Sequence, residues 1–489
     1  MGRCSSRRNA ICWREALHST SRGGNAVTVQ HVALLNWRDR SHPRAGGAEL
    51  YCEQVAQHLV RQGVAVTYLT ARVPGLPTVE DREGFRIVRM GGTFTVYLAV
   101  LLWLWRHRTK IDGVIDSQNG IPFFSPLAVG RRVPVVLLIH HVHQRQFAEY
   151  FGWPMRWVGR WLEKTATGLV YGRRSIVTVS PSSRNAIRQE LRLKGNVFVA
   201  PCGMDRPNAP DDQRRAARPR IVCVSRLVPH KRMDLVLEAV AKARTVMTDL
   251  ELHLVGDGPE LDTIRTHITR LGLETTVVVH GRVTDAERTA ILQTAWITVS
   301  ASAGEGWGLS ILEAAALGVP AVALHVPGVQ DAVRDGRTGV LIDDESQLAD
   351  AIVCLIDRLS DPAEATAWAS RAWAWSGQFT WERSAGRIRL VLEAEAARLA
   401  LRRPDHRAAC DVVTVVELAG ASLPDADELR MRCRHTDTWS VRGDRIIGLI
   451  HGADEIDALA VLQRAGVRPS DQVRVRLRVG RPHDLLEYA

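Results

Sequence analysis

Twice along this chain, short runs of aliphatic and β-branched residues alternate with longer stretches of helical period, and no other feature restricts the fold as much. Apolar runs at 27–35, 65–70, 85–89, 113–116, 133–139, 175–180 and 196–200 form one series. Between its first two members, residues 48–62 place Leu50, Val55, Leu59 and Val60 at helical spacing. A second series runs through 220–225, 250–255, 276–280, 296–300, 321–324 and 339–342. Near-continuous apolar strands separated by helices predict parallel sheets covered on both faces. Residues 203–220, rich in Pro, Asp and Arg, read as the linker between the series. The predicted class is therefore α/β, with two facing doubly wound parallel-sheet (Rossmann-like) domains at 27–205 and 216–375. Ligands of such sheets bind at the carboxyl ends of the strands, here in a cleft between the domains.

Composition leaves room for this. At 489 residues, 46% hydrophobic and 24% charged, the chain suits two or three globular domains. Its formal net charge of +11 favours anionic partners such as nucleotides, acidic lipid head groups or nucleic acid. Eight cysteines without a Cys-x-x-Cys pair predict neither a disulfide framework nor a zinc site, which fits a reducing cytoplasm. No stretch reaches the ~20 apolar residues of a membrane-spanning helix. Residues 95–105 (TVYLAVLLWLW), followed by the basic run 106–110, fit either a helix lying in a membrane interface or a core helix ending in a solvated basic turn. Residues 1–26 lack the apolar core of a secretory signal and are expected to be a disordered extension.

The strand-end loops carry the chemistry. In residues 305–314 (EGWGLSILEA) two glutamates stand eight positions apart around the start of a predicted helix, 309–317. Unpaired N–H groups and the positive helix end favour phosphate there, and Gly306 and Gly308 let a ligand approach the backbone. Glu313, one turn inside, can accept from ribose hydroxyls, while Glu305 faces the group beyond the phosphates. Together with Trp307 and Leu309, this one segment can touch every part of a nucleotide sugar.

This arrangement resembles the Glu-x7-Glu signature of retaining GT-B glycosyltransferases of family 4. The resemblance implies transfer of a sugar from a nucleotide-sugar donor to a lipid or saccharide acceptor, with retention and without a metal. It implies that Arg226 and Lys231, five apart in a strand-to-helix turn, clamp the leaving diphosphate. Gly256 and Gly258, in a tight turn after a strand, are expected against a base or phosphate. The turn fails as a dinucleotide fingerprint because Leu261 replaces the third glycine. Arg282 follows a stretch that lines the base pocket in the family. Gly46 and Gly47 are expected in a phosphate-cradling turn with φ > 0. Relatives carry one histidine at the end of the 133–139 strand, in contact with the transferred sugar, and position assigns it to His140, with His141 as rival. A metal held by His140, His141 and His143 is disfavoured because strand neighbours point to opposite faces, and His143 as a base for the acceptor stays open. An Asp-x-Asp element occurs only at Asp425–Asp427, outside both nucleotide domains. No cofactor beyond the donor is expected, nor any nucleic-acid partner. The setting implied is cytoplasmic glycan or glycolipid synthesis for the cell envelope, with peripheral contact to an anionic membrane face.

Helices at 363–374 and 381–399 close the second domain, and the fold family returns such helices, here 376–400, to the first domain, with Trp368, Trp373, Trp375 and Trp381 expected to be buried. Residues 116–122 are expected to shape the acceptor side. From about residue 402 the pattern changes to strand, helix, two strands around Gly443-Asp444, helix and strand, which predicts a small ferredoxin-like α+β domain over 408–489. Its hairpin, residues 441–448, faintly resembles that of diguanylate cyclases but lacks their Gly-Gly and Asp-Glu-Phe, so a regulatory or partner-binding role is expected. A sugar-nucleotide epimerase or phosphorylase of the same architecture, or a nonenzymatic nucleotide-binding regulator, are the alternatives.

Overall fold

The computed structural model describes residues 29–144, 152–207, 215–400, 412–421, 423–433, 437–467 and 473–480; the expected extension at 1–26 and much of the expected linker lie outside them. Two compact units divide the chain, Met1–Thr178 with Arg184–Ala200 and Ala385–Ala489, and Val179–Ser183 with Pro201–Ser384.

The first unit contains β1 (His31–Leu35), α1 (Gly47–Arg61), β2 (Ala65–Thr70), β3 (Val79–Arg82), β4 (Phe85–Arg89), α2 (Val96–His107), β5 (Gly113–Gln118) and α3 (Pro126–Val129). It continues through β6 (Val135–Ile139), α4 (Met155–Trp161), a π-helical turn Leu162–Ala166, α5 (Thr167–Tyr171), β7 (Ile176–Thr178), α6 (Pro181–Ala186) and β8 (Val197–Val199). Helix α6 begins in the segment assigned to the second unit. The strands form one sheet in the order 3-4-2-1-5-6-7-8, parallel except for the β3–β4 hairpin. Strands β1 and β6 are buried along their apolar runs, and β5 is wholly buried although its second half is Asp116-Ser117-Gln118. Strand β3 was not legible as a strand because it is polar. It pairs antiparallel with β4 through the backbone, and ion pairs cross the same hairpin, Asp81 to Arg86 at 2.8 Å and Glu80 to Arg89 at 2.7 Å.

The second unit contains β9 (Arg220–Val224), α7 (Met233–Ala243), β10 (Glu251–Val255), α8 (Leu261–Arg270), β11 (Val277–Gly281), α9 (Asp285–Gln293) and β12 (Thr298–Ser300). There follow α10 (Leu309–Ala316), β13 (Ala321–Leu324), β14 (Gly339–Ile342), α11 (Leu348–Leu359) and α12 (Pro362–Ser376). Strands 11-10-9 and 12-13-14 form two ladders, linked by a parallel bridge between Ile221 and Ile297. The combined order 11-10-9-12-13-14 is that of a dinucleotide-binding sheet, reversing direction between β9 and β12.

Helix α13 (Trp381–Ala400) starts in the second unit and, from Ala385 on, belongs to the first. There Leu392 fills the space above Gly113, where a Cβ would lie 2.9 Å from it. Buried Glu395 accepts from Arg174 at 3.3 Å and Ser175 at 3.2 Å. Of the four tryptophans expected in the core, Trp368 and Trp381 are buried. Trp373 and Trp375 are only half-buried, each under a guanidinium, Arg206 at 4.0 Å and Arg334 at 4.2 Å.

The C-terminal module comprises β15 (Val413–Gly420), α14 (Ala426–Arg432), β16 (Thr438–Arg442), β17 (Arg445–His451), α15 (Glu455–Arg464) and β18 (Val473–Gly480), in an antiparallel sheet ordered 16-17-15-18. This is the ferredoxin-like order. Its core centres on Trp439, which lies over Gly448 where a Cβ would come within 2.4 Å of the ring. The module packs on the first sheet. Asp454 caps α15 through Ile456 and Asp457, both at 2.9 Å, and its other oxygen accepts the amide of Val199 at 2.8 Å. Arg184 reaches Asp457 at 2.6 Å, and Arg387 pairs with Glu455. The edge strand β8 is thereby covered.

Candidate functional site

In the second unit the reversal between β9 and β12 opens a crevice at the carboxyl ends of the strands. The loops leaving these two strands meet there, pinned by the Ala303 amide on the His230 carbonyl at 2.9 Å. Across this junction the Lys231 ammonium donates to Glu305 Oε1, and the Ser302 hydroxyl donates to the same oxygen at 2.8 Å. The two side chains are only 15% and 17% exposed. Burial alone would raise the Glu305 pKa; the Lys231 charge and hydrogen bond, the Ser302 hydroxyl and the nearby His230 outweigh it and hold the carboxyl below its usual range. Both contacts fall on Oε1.

The backbone around Glu305 is held as firmly. Its amide donates to Pro327 at 3.0 Å, and Gly328 passes so close that a Cβ would lie 2.1 Å from the Glu305 carbonyl oxygen. Ser183 donates to the Gly306 carbonyl at 3.3 Å. Trp307 is buried edge-on against Phe379, with ring centroids 5.0 Å apart. Gly308 takes φ 60° and ψ 46°, a left-handed turn that favours glycine, and α10 begins at Leu309. The amides of Leu309 and Ser310 have no backbone partner among the described residues. One turn on, Glu313 pairs with Arg288 of α9 at 3.4 Å. The sequence motif is thus one structure, a glycine turn into a helix start with a lysine-paired carboxylate before it and an arginine-paired carboxylate after it. Ser302, Arg288 and Gly328 went unnoticed in the sequence. Arg288 and Gly328 act through contacts between distant segments and leave no local pattern, while Ser302 lies only three residues before Glu305.

Arg226 leaves β9 exposed, with no side-chain ion pair or hydrogen bond among the described residues. Gly256 and Gly258 have a structural task that the sequence reading did not assign. A Cβ on Gly256, whose φ is +139°, would stand 1.8 Å from the Ser225 carbonyl oxygen, and one on Gly258 would stand 2.2 Å from that of Leu227. They let the 255–260 loop lie against the 225–228 loop, with the Leu227 amide on the Asp257 carbonyl at 3.0 Å. Arg282 is exposed just past β11. Beneath it His280 bonds His253 at 2.9 Å, and burial, Arg220 and His280 lower the His253 pKa to about 4.

In the first unit His140 is buried at the end of β6, its Nε2 3.0 Å from Ser117 Oγ and its ring edge-on to Tyr51. Burial, with a smaller push from His143, lowers its pKa to about 3, so it is neutral at physiological pH. His141 is half-buried beside His143, and the His143 amide donates to buried Glu163 at 2.7 Å. Among the described residues no three His, Cys, Asp or Glu side chains are grouped to hold a metal ion.

Gly46 and Gly47 differ from expectation. Neither takes a positive φ, and Gly46, at −149°, is an extended N-cap. Its amide is occupied by Glu49 Oε2 at 2.7 Å, and Glu49 in turn pairs with Arg38 at 3.2 Å. Asp116, expected on the acceptor side, is wholly buried. It accepts from the Phe123 and Ser125 amides at 3.0 and 3.1 Å and from the Tyr171 hydroxyl, so it holds the 119–125 loop in place. Burial raises its pKa despite these bonds.

Comparison with known proteins covers both sheets. Residues 45–206 match the model described as Glycosyltransferase Family 4, and residues 218–358 match that of Glycosyl transferases group 1. The chain is 30% identical over 368 residues to the GDP-mannose-dependent alpha-(1-6)-phosphatidylinositol monomannoside mannosyltransferase of Mycolicibacterium smegmatis, spanning 68% of this chain and 92% of the relative. It is 24% identical over 326 residues to the alpha-D-kanosaminyltransferase of Streptomyces kanamyceticus, spanning 61% of this chain and 82% of that one. In fold it is similar to a sucrose-phosphate synthase of Thermosynechococcus elongatus, with a TM-score of 0.62 at 21% identity over 73% of this chain and 97% of the other.

Proposed function

This chain belongs to glycosyltransferase family 4, with the GT-B fold, and from that premise we propose that it transfers a sugar with retention of anomeric configuration and without a metal, from a nucleotide-sugar donor to a lipid-linked or saccharide acceptor. The observation that carries this is the Lys231–Glu305 pair at the reversal of the second sheet, beside the start of α10.

In this reading the donor diphosphate lies at the Leu309 and Ser310 amides, where the helix dipole favours negative charge. Arg226 and Lys231 meet the charge that grows on the leaving phosphate. Glu313, about one turn deeper, accepts from the ribose. Glu305 is kept ionised by Lys231, and its Oε2 accepts from a sugar hydroxyl, orienting the ring without attacking it. The acceptor oxygen bonds to the anomeric carbon on the face that the diphosphate leaves. As the C–O bond to phosphate breaks, the acceptor proton passes to the departing phosphate oxygen. His140, neutral and held by Ser117, contributes a hydrogen bond to the transferred sugar. Since relatives named for GDP-mannose and a phosphatidylinositol mannoside share this framework, GDP-mannose and a glycolipid acceptor are the first pair to test.

The test is incubation of the full chain with labelled GDP-mannose and a panel of other nucleotide sugars, with and without EDTA, and NMR assignment of the product linkage. We expect an α-linked product whose yield EDTA does not change. An inverted linkage, or loss of turnover in EDTA, overturns the mechanism; isomerised donor without transfer overturns the transferase reading.

A further inference from the structure

In the first sheet, the β4–β5, β5–β6 and β6–β7 connections all step the same way along the strand order 4-2-1-5-6-7. Right-handed crossovers that step the same way lie on the same face of a sheet. Helices α2, α3 and α4–α5 therefore share one face, and α2 packs on α3 and α3 on α5.

That face is apolar on the outside. Helix α2 buries Val96, Val100 and Leu104 inward, yet Phe94, Leu98, Leu102 and Trp105 recur along its outer side at 45–76% exposure. Trp153, Trp157 and Trp161, four residues apart on and before α4, are 54–74% exposed, and Leu127 and Leu169 are 71% and 79% exposed. Apolar exposure on three successive crossovers marks a contact surface.

Its charge names the partner. Residues 90–111 and 119–135 contain no acidic residue and supply exposed Arg106, Arg108, Lys110, Arg131 and Arg132. Residues 152–174 contain one acid, Glu163, and it is fully buried. Guanidinium groups lie over the outer tryptophans, Arg108 on Trp105 at 5.2 Å and Arg160 on Trp157 at 5.4 Å. At the C-terminal end of α2 a cavity of about 360 Å³ is lined by Trp103 and Val88 with His107, Lys110 and Arg86, the last held by Asp81. Its lining includes no carboxylate. Two copies meeting through this face would bring like charges together. Single-stranded nucleic acid could stack on the tryptophans, but it has no use for Leu98, Leu102, Leu127 and Leu169 exposed beside them, whereas an acyl-chain boundary does. Tryptophan, leucine and basic side chains interleaved on one face suit the head-group zone of a bilayer.

We propose that this crossover face docks on an anionic lipid bilayer, with the outer side of α2 and the α4 tryptophans at head-group depth and the cavity beside α2 receiving a head-group phosphate. The proposal rests on the glycolipid reading above only for its purpose, since docking is measured without turnover. The test is flotation of the full chain with vesicles of phosphatidylcholine alone or mixed with phosphatidylglycerol. We expect binding to the mixed vesicles only, weakened by salt. Leu98→Glu and Trp157→Glu should each lower the bound fraction about tenfold, and Lys110→Glu should weaken it further. Met431→Glu, at an exposed position of the C-terminal module, should leave it unchanged. Unaltered melting temperatures would show that the variants fold. Equal binding to neutral vesicles, or wild-type binding by Leu98→Glu and Trp157→Glu, overturns the proposal. So does a dimer that these variants dissociate, which assigns the face to a second copy, or displacement of the vesicles by an oligonucleotide, which assigns it to nucleic acid.

Discussion

The two sheets each offer a helix start approached through glycines, α1 after Gly46-Gly47 and α10 after Gly306–Gly308, and they use it in opposite ways. At α1 the acid stands three residues after the capping glycine, so Glu49 turns back, takes the Gly46 amide and neutralises the positive helix end from within. At α10 the acid stands three residues before the glycine cap. Glu305 cannot reach the first-turn amides and is drawn away by Lys231, and the helix start is left facing the crevice. The same small-residue signal thus gives a self-capped helix in one domain and, in the other, a helix start whose Leu309 and Ser310 amides have no backbone partner among the described residues. The position of one carboxylate decides between them.

The contrast is broken most directly at Glu305 and Lys231. Glu305→Gln or Lys231→Ala should lower kcat about 10²–10³-fold, the scale of losing one electrostatic contact in a transition state. Lys231→Ala should also lower the melting temperature, because it leaves a buried carboxylate unpaired. Near-wild-type turnover by either variant would refute the assigned roles. Next in size, Gly256→Ala should destabilise the second domain by about 1–3 kcal/mol or prevent its folding, since the new Cβ meets fixed backbone. A folded variant with weak donor binding but a normal melting curve would return Gly256 to ligand contact.

Glu49→Ala sharpens the comparison from the other side. Removing this cap should lower stability by about 1–2 kcal/mol in denaturant unfolding, while kcat stays within about tenfold of wild type. If activity fell as far as in Glu305→Gln, the two helix starts would not differ in function. The smallest effect is expected in acid. Burial holds His140 neutral with a pKa of about 3, against 6.5 for an exposed histidine, so the unfolded chain takes up the proton first. Its contribution to stability is whole above pH 6.5 and drains as pH falls towards 3. His253 in the second domain behaves alike down to about 4. Denaturation curves at neutral and acid pH should show a shallower loss for His140→Asn than for wild type.

Much of the architecture was written locally. Aliphatic runs gave the strands of both sheets, because a doubly covered strand must be apolar on both sides. The β-α-β-β-α-β order of the module was read from period and turn residues alone. Strand β3 escaped because its four residues, Val-Glu-Asp-Arg, are mostly charged and none is buried, so its backbone pairing with β4 leaves no apolar pattern. The candidate site was legible as a motif, since Glu305, Gly306, Gly308 and Glu313 stand close in sequence. Its partners Ser183, Arg288 and Gly328 were not, since each comes from a separate segment.

The sequence by itself determined most of the strands, β3 excepted, where several helices begin, and that glycines and acids surround one helix start, because these follow from side-chain period, backbone freedom and capping between neighbours in the chain. Only the tertiary structure decided that the second sheet reverses between β9 and β12, so that Lys231 meets Glu305, and that Gly256 and Gly258 are spaces for a neighbouring backbone. It likewise decided that the C-terminal module covers the edge strand β8 through Asp454. Those outcomes depend on which distant atoms compete for the same volume and the same charge, and no local pattern records that competition.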